Sequence, residues 1–421
     1  MSNGKIESKV VHISTWDNQG GGSLAALRLH TAMLEAGIDS KHLVHDKRTY
    51  SNDVIAVPQR KYLKYFRLFT KKILKTLKSP FIGRLNTKRG SFEFFEGYDD
   101  VLRRQELLKC DIIYLHGVFR ESFNYNSLKK LFALNKKVFW FLHDNFVFTG
   151  GCLYPLECGK YTEKCCKCQF WEGFSFFDCA KYEFNQKNKI LNKADNLTLI
   201  APSFWILDNA KRSVIAKNKR IYHIPNLVNP KIYKPIGKNS ARKLFSIGQE
   251  KRVIGFGAIK ALTSPYKGWE YIKSALEILK KTNADNENIE VMIFGSNYQK
   301  EVADTLPFKT QFTGFLSDDY SMAMMYNAID VFVAPSLADN FPQTILESLA
   351  CNTPVVAFDT GGIPDMVNEK TGYLAKYKDS NDLAYGINLI LSEKEKRDVC
   401  QFAQKYFTES ILQKHIEMWR G

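Results

Sequence analysis

Between Val331 and Phe358 the chain passes from one short apolar segment, Val331-Phe-Val-Ala334, through a turn and a helix-patterned stretch into a second, Val355-Val-Ala-Phe358. Uninterrupted apolar runs of this length suit strands buried on both faces, as in a parallel sheet, and a helix is the usual crossover between two such strands. This strand, helix, strand unit constrains the rest of the chain. Asp339 falls in the turn that ends the first strand. Glu347 follows eight residues later, about two helical turns on and on a similar face. Both carboxylates are therefore placed to look beyond the carboxyl ends of the strands, where open parallel sheets bind their ligands.

The same stretch continues Ser-Leu-Ala-Cys-Asn-Thr-Pro-Val-Val-Ala and then Gly361-Gly362-Ile-Pro364-Asp365. Acid, seven residues and acid, followed by these residues in order, resembles the donor-site signature of the retaining glycosyltransferases of family GT4, the glycosyltransferase group 1 proteins. The resemblance implies an α/β chain of the GT-B type, two Rossmann-like domains facing an inter-domain cleft. It also implies that Asp339, with Asn340 and Phe341 beside it, meets the donor sugar, and that Glu347 holds the ribose of the nucleotide. Asp339 stands where the family usually has the longer Glu. The segment Thr313-Gly-Phe-Leu316 lies where the family packs the nucleotide base, and the turn at Gly295, which ends the strand before it, is a further expected donor contact.

At 421 residues the chain suits two domains of roughly 200 residues each. Prolines at 225, 230 and 235 mark the boundary. The expected division is 1–228, binding the acceptor, 229–400, binding the nucleotide sugar, and a terminal helix over 401–421 that in the family crosses back to the first domain. No apolar run is long enough to span a bilayer. The polar start, Met1-Ser-Asn-Gly-Lys, lacks a signal-peptide segment and points to the cytoplasm, where nine cysteines are expected reduced or metal-bound. The net charge of +16 predicts an anionic partner. Residues 60–89 carry eleven Lys or Arg and no acid, threaded with aromatic and aliphatic residues, which suits a helix lying on an anionic membrane surface. No nucleic-acid motif accompanies the charge, so no nucleic-acid partner is expected. The expected location is the cytoplasm, peripheral at the inner face of the membrane.

In the first half, Lys9-Val-Val-His-Ile-Ser14 reads as a buried strand, and Gly20-Gly21-Gly22 as a tight loop opening a helix whose free N–H groups favour an anion. Leu24, Leu27, Thr31 and Leu34 are expected to form the buried face of that helix. Contact of Gly21 and Gly22 with the donor diphosphate or the acceptor is the favoured reading over a structural turn. Two further strands end on His116 and on His143-Asp144. The resemblance implies that His143 borders the transferred sugar near its reacting carbon; from their place at the carboxyl ends of strands, His116 and Asp144 are expected on the acceptor side. Five cysteines then fall within seventeen residues. Cys152, Cys158, Cys165 and Cys168 have the composition of a structural zinc site, against reduced thiols or a disulfide.

The second half opens with a strand from Arg252, a polar loop to Lys267-Gly268 and a helix from Trp269 to Lys281. In the resembling family an Arg after the strand and this Lys bind the donor diphosphate. Lys267 matches, whereas Ala258 occupies the place of the Arg and Lys260 is the nearest replacement charge. The resulting expectation is a retaining, hexosyltransferase-like enzyme moving a sugar from a nucleoside-diphosphate donor to a glycan or lipid-linked glycan, as in capsule, O-antigen or exopolysaccharide synthesis. His143, Asp339 and Lys267 would carry the chemistry. No Asp-x-Asp pair occurs, so no metal cofactor is expected in catalysis. A nucleotide-sugar epimerase of the same fold, or a non-catalytic nucleotide-sugar-binding protein, are the alternatives.

Overall fold

The computed structural model describes residues 8–57, 83–95, 97, 100–119, 123–173, 176–257, 262, 264–282, 286–316, 318–395 and 397–420. Most of the basic segment, and both Ala258 and Lys260, lie outside the described residues. Two compact units divide the chain: Met1–Pro225 together with His415–Gly421, and Asn226–Lys414. The first break falls at the first of the three prolines. The second falls within the helix Thr408–Arg420.

In the first unit the strands are β1 (Val10–Trp16), β2 (Ser40–Asp46), β3 (Val54–Ala56), β4 (Arg84–Leu85), β5 (Ile112–His116), β6 (Lys137–Phe141), β7 (Trp171–Glu172), β8 (Leu197–Ala201) and β9 (Arg220–His223). A seven-stranded sheet has the order β3-β2-β1-β5-β6-β8-β9, with every pairing parallel. Because side chains alternate along a strand, the two faces differ. One face is aliphatic and aromatic, with Val11, Ile13, Leu43, Ile113, Leu115, Val138 and Trp140 in a common core. The alternate positions carry His12, Ser14, His42, Tyr114 and His116, all buried. Parallel register aligns them, setting His12 opposite both His42 and Tyr114, and Ser14 opposite His116.

Helix α1 (Gly21–Glu35) begins after the glycine loop, with Gly20 at its N-cap in a left-handed conformation (φ 88°). Its buried residues are Ala25, Ala26, Arg28, Leu29, His30, Ala32 and Met33. This corrects the expected face: Thr31 is exposed, and Leu24, Leu27 and Leu34 are only half-buried. Small residues let the helix approach the sheet closely, so alanine wins the contact that leucine spacing suggests. Away from the large sheet, β4 and β7 pair as an antiparallel ribbon. Beside it Phe92, Cys152, Phe170, Cys179 and Ala180 form a small satellite core.

The second unit has β10 (Arg252–Gly257), β11 (Ile289–Phe294), β12 (Lys309–Gly314), β13 (Val331–Ala334), β14 (Val355–Phe358) and β15 (Gly372–Ala375). They form a six-stranded sheet in the order β12-β11-β10-β13-β14-β15, again all parallel. One core takes Val253, Met292, Phe332, Val355 and Ala357. The other takes Ile254, Phe256, Val291, Ile293, Val331, Val333 and Val356. Burial on both faces explains why these strands read as continuous apolar runs, each large side chain contributing about 1.5–3 kcal/mol. Both units are thus α/β, each built on a main sheet that is wholly parallel, as the strand and helix pattern predicts. The strands at Val331–Ala334 and Val355–Phe358 form where the sequence places them, and Asp318 caps the following helix by accepting from the Ser321 N–H.

Candidate functional site

Strand order reverses in the second unit between β10 and β13, since chain-adjacent strands run outward from β10 on one side and from β13 on the other. That reversal opens a crevice at the strands' carboxyl ends. The segment after β10 supplies Lys267, and the turn after β13 supplies Asp339. Their side chains meet, with Lys267 Nζ donating to Asp339 Oδ2 at 2.6 Å. The same carboxylate accepts from the backbone N–H of Asn340 at 3.0 Å and, at 3.4 Å, from Ser336 Oγ. Asp339 is only 8% exposed.

Two glycines hold this pair in place. Gly268 has φ 67°, and a Cβ there would lie 1.9 Å from the carbonyl oxygen of Pro335. Gly361 has φ 59°, and its Cβ would lie 1.9 Å from the carbonyl oxygen of Asp339. Only glycine allows both the left-handed backbone and this approach. Gly362 N–H donates to that same carbonyl at 3.1 Å, so the Gly361-Gly362 dipeptide clamps the turn bearing Asp339.

Glu347 lies on the helix Gln343–Ala350, 3% exposed, and its Oε2 accepts from the Tyr326 hydroxyl at 2.9 Å. Burial first, then the Glu347 charge, drives the Tyr326 phenol well above its ordinary pKa, so it stays a donor. Nothing in the sequence reading singled out Tyr326. Phe341 is buried edge-on to Tyr406, and its carbonyl accepts from Asn226. Gly295 follows β11 with φ 76° and donates its N–H to the carbonyl of Gly314. Leu316 is half-buried just past β12, while Phe315 beside it is 62% exposed. Hence Lys267, Asp339, Gly295 and Leu316 all follow strands of one parallel sheet at the same edge, and Glu347 sits on the helix that leaves it.

In the first unit the reversal lies between β1 and β5. Gly20 to Gly22 follow β1, His116 ends β5, and His143 lies two residues past β6. Gly21 has no atom within 4 Å of an added Cβ, whereas one on Gly22 would meet the His143 ring at 3.0 Å. The start of α1 and His143 are therefore packed together. His143 stacks on Phe141 at 4.8 Å and on His116 at 5.3 Å. Its Nε2 lies 3.0 Å from His116 Nδ1, and His116 Nε2 lies 3.1 Å from His12 Nδ1. Burial lowers the His143 pKa to about 3. His116 is held well below its ordinary value by burial and by His143, His42 and His415.

Asp144 caps the turn Asn145–Phe148, its Oδ1 accepting from the Phe146 N–H at 2.8 Å. Burial raises its pKa to about 7; the Phe146 N–H opposes this, Glu93 adds to it and Lys187 opposes it. Lys187, another residue the sequence reading passed over, is fully buried. It donates to the carbonyls of Phe146 and Thr149 at 2.6 and 3.1 Å and lies over the Phe146 ring. Burial lowers it to about 8.

All nine cysteines are free thiols. Burial pushes Cys165 up to about 12 and raises Cys152 and Cys168, with neighbouring thiols adding to each shift. Among the described residues no group of three or more His, Cys, Asp or Glu is arranged to hold a metal ion. The four thiols named for zinc thus lie near one another without a ligand arrangement.

Residues 248–405 match the family described as glycosyl transferases group 1. An uncharacterized glycosyltransferase of Haemophilus influenzae is 21% identical over 306 residues, covering 70% of this chain and 82% of that protein. An N,N'-diacetylbacillosaminyl-diphospho-undecaprenol alpha-1,3-N-acetylgalactosaminyltransferase of Campylobacter jejuni is 26% identical over 219 residues, 49% of this chain and 56% of that protein. Among solved structures, Anabaena HepE in complex with UDP-glucose aligns over 98% of this chain and 100% of its own, with a TM-score of 0.63 at 16% identity. The matched family covers the strands, the Lys267 segment and the Asp339 turn described above. The second unit of the chain thus matches the glycosyl transferases group 1 family over residues 248–405, and the chain has the GT-B fold.

Proposed function

We propose that this glycosyltransferase moves a sugar from a nucleoside diphosphate to a hydroxyl of a lipid-linked glycan, retaining the anomeric configuration and using no metal. The observation that carries the reading is the Lys267–Asp339 pair at the strand-order reversal of the family-matched unit. As the sugar leaves, the diphosphate gains negative charge and the sugar becomes cation-like. A preorganised cation aimed at the diphosphate lowers that barrier. Lys267 is that cation. A donor diphosphate draws Lys267 from Asp339, and the released carboxylate then accepts from the sugar hydroxyls. Glu347, fixed by Tyr326, orients the ribose.

The absence of any Asp-x-Asp pair supports metal independence. The basic, aromatic-threaded segment 60–89 supports docking at the inner face of an anionic membrane, where a lipid-linked acceptor would be displayed. The similar Campylobacter protein is named for an undecaprenol-linked acceptor, which favours a polyprenyl-linked glycan of the surface-polysaccharide kind here.

The test is a screen of UDP, GDP and ADP sugars with and without EDTA, with NMR of any glycoside formed. Release of one nucleotide, unaffected by EDTA, with retained configuration in the product is expected. A free epimerised nucleotide sugar, or failure to bind any nucleotide sugar, would overturn the reading.

A further inference from the structure

The helix Phe204–Arg212 of the first unit borders a pocket of about 460 Å³, lined by Trp205, Asp208, Asn209, Lys211 and Arg212. That volume lies in the range of small-molecule sites, about 300–1,000 Å³. Positions 205, 208, 209 and 212 recur at helical spacing and so share one face. A buried, neutral network holds that face. Asn209 is 3% exposed, and its Oδ1 accepts from the Tyr161 hydroxyl at 2.9 Å and from Arg212 Nη2 at 2.6 Å. Its Nδ2 donates to Asn145 Oδ1 at 3.2 Å, and the Tyr161 oxygen accepts from Arg212 Nη2 at 3.3 Å. The Arg212 guanidinium is therefore fixed by an amide and a phenol, neither of which neutralises it. Among the described residues Arg212 makes no ion pair, and Asp208, one turn earlier on the helix, does not reach it. Tyr154 and Tyr161 both come from the cysteine-rich stretch, which thereby takes part in building this place.

A fixed cation without a counter-charge calls for an anion, and charge-assisted hydrogen bonds to a carboxylate or phosphate are its strongest contacts. Lys211, exposed beside it, adds to the attraction. Asp208 asks for something else, since a carboxylate accepts only and takes hydroxyl groups. Trp205 is half-buried and stacks on Tyr154, with ring centroids 6.3 Å apart and planes at 26°. That stacking makes the indole part of a stiff apolar wall. An apolar face, hydroxyls and a negative charge within one small molecule describe an acidic sugar. We propose that this pocket binds an acidic pyranose, a uronate or a sugar phosphate. Its anionic group meets Arg212 and Lys211, its hydroxyls meet Asp208, and a C–H face of its ring meets Trp205. Asp208 disfavours a plain anion, and a neutral sugar leaves the guanidinium unanswered. The site is built wholly from the first unit, so the proposal does not depend on the sugar-transfer reading.

The experiment is a titration of the full chain, followed by tryptophan fluorescence, with glucuronate, glucose 6-phosphate, glucose and inorganic phosphate as separate probes. A saturable change with an acidic sugar is expected, at least about tenfold tighter than with glucose or phosphate. Which acidic sugar binds more tightly tells a uronate site from a sugar-phosphate site. The chain has six tryptophans, so the change is assigned by its loss in Trp205→Phe, which keeps an aromatic wall. Arg212→Gln should weaken the acidic sugar at least about tenfold. No saturable change, equal affinity for glucose or for phosphate, a signal that survives Trp205→Phe, or undiminished affinity in Arg212→Gln would overturn the proposal. Should Arg212→Gln not fold, Lys211→Gln alters an exposed side chain and decides: a several-fold loss is expected, and unchanged affinity overturns the site. A protein that binds an acidic sugar here and fails the nucleotide-sugar screen keeps this pocket and loses sugar transfer.

Discussion

Asp339 reaches Lys267 at 2.6 Å although its side chain is one carbon shorter than the Glu usual in the resembling family, and Gly361 packs against the carbonyl of the turn that carries it. Replacing Lys267 by Met removes the charge and keeps most of the stem, so donor affinity should fall on the order of 10- to 100-fold, the weight of a lost charge-assisted contact. Calorimetric titration with the donor found in the screen measures it; unchanged affinity would exclude Lys267 from the diphosphate. Glu347→Ala should likewise weaken donor binding, and the same titration reads it. Asp144 allows a prediction in pH. Its folded pKa is raised to about 7, mainly by burial, above the ordinary carboxylate range that the unfolded chain shows. The folded state therefore binds more protons between about pH 4 and pH 7, and stability falls as pH rises through that window. Asp144→Asn retains an oxygen for the Phe146 N–H and removes the titration. Urea unfolding at pH 5 and pH 8 should show the variant gaining on wild type at the higher pH, by on the order of 1 kcal/mol after solvent screening.

At the scale of elements, glycines at the ends of strands and the start of α1 separate close packing from open backbone. Gly361→Ala would set a Cβ 1.9 Å from the carbonyl oxygen of Asp339 at a left-handed φ. A loss of about 2–4 kcal/mol is expected from combined strain and overlap. Gly21→Ala meets nothing within 4 Å, and on helix propensity it should gain up to about 1 kcal/mol in folding stability. Equilibrium unfolding of the two variants side by side checks both, and similar effects would show that this glycine geometry is not what sets them apart. The period-2 pattern of Val-Val-His-Ile-Ser and Lys-His-Leu-Val-His was open to view in the sequence. It places His12 and His42 on the same face as soon as the strands are recognised. Which strand lies beside which, and so the line from His143 through His116 and His12 to Met33, depends on a strand order that no local pattern encodes. Tyr326 and Lys187 were missed for the same reason: each finds its partner through a contact between separate elements.

Across the whole molecule, charge is concentrated in one stretch, since residues 60–89 hold eleven of the basic residues and no acid. Removing those charges as a block should abolish co-flotation with vesicles containing anionic lipid, while retained flotation would refute the membrane role given to the segment. Among the described residues no helix is long and apolar enough to cross a bilayer. The sequence by itself determined the two parallel α/β sheets and the placing of Asp339, Glu347 and Lys267 after their strands, because buried parallel strands must be continuous apolar runs and the signature residues crowd into consecutive turns. Only the tertiary structure decided that Lys267 and Asp339, 72 positions apart, form an ion pair, that Tyr326 holds Glu347, and that histidines from within β1, from the end of β5 and from just past β6 stand in one line with a methionine on α1. Those arrangements arise where strand order brings distant segments together, and pairing between strands is set by the burial of whole faces rather than by any residue's own neighbours in sequence.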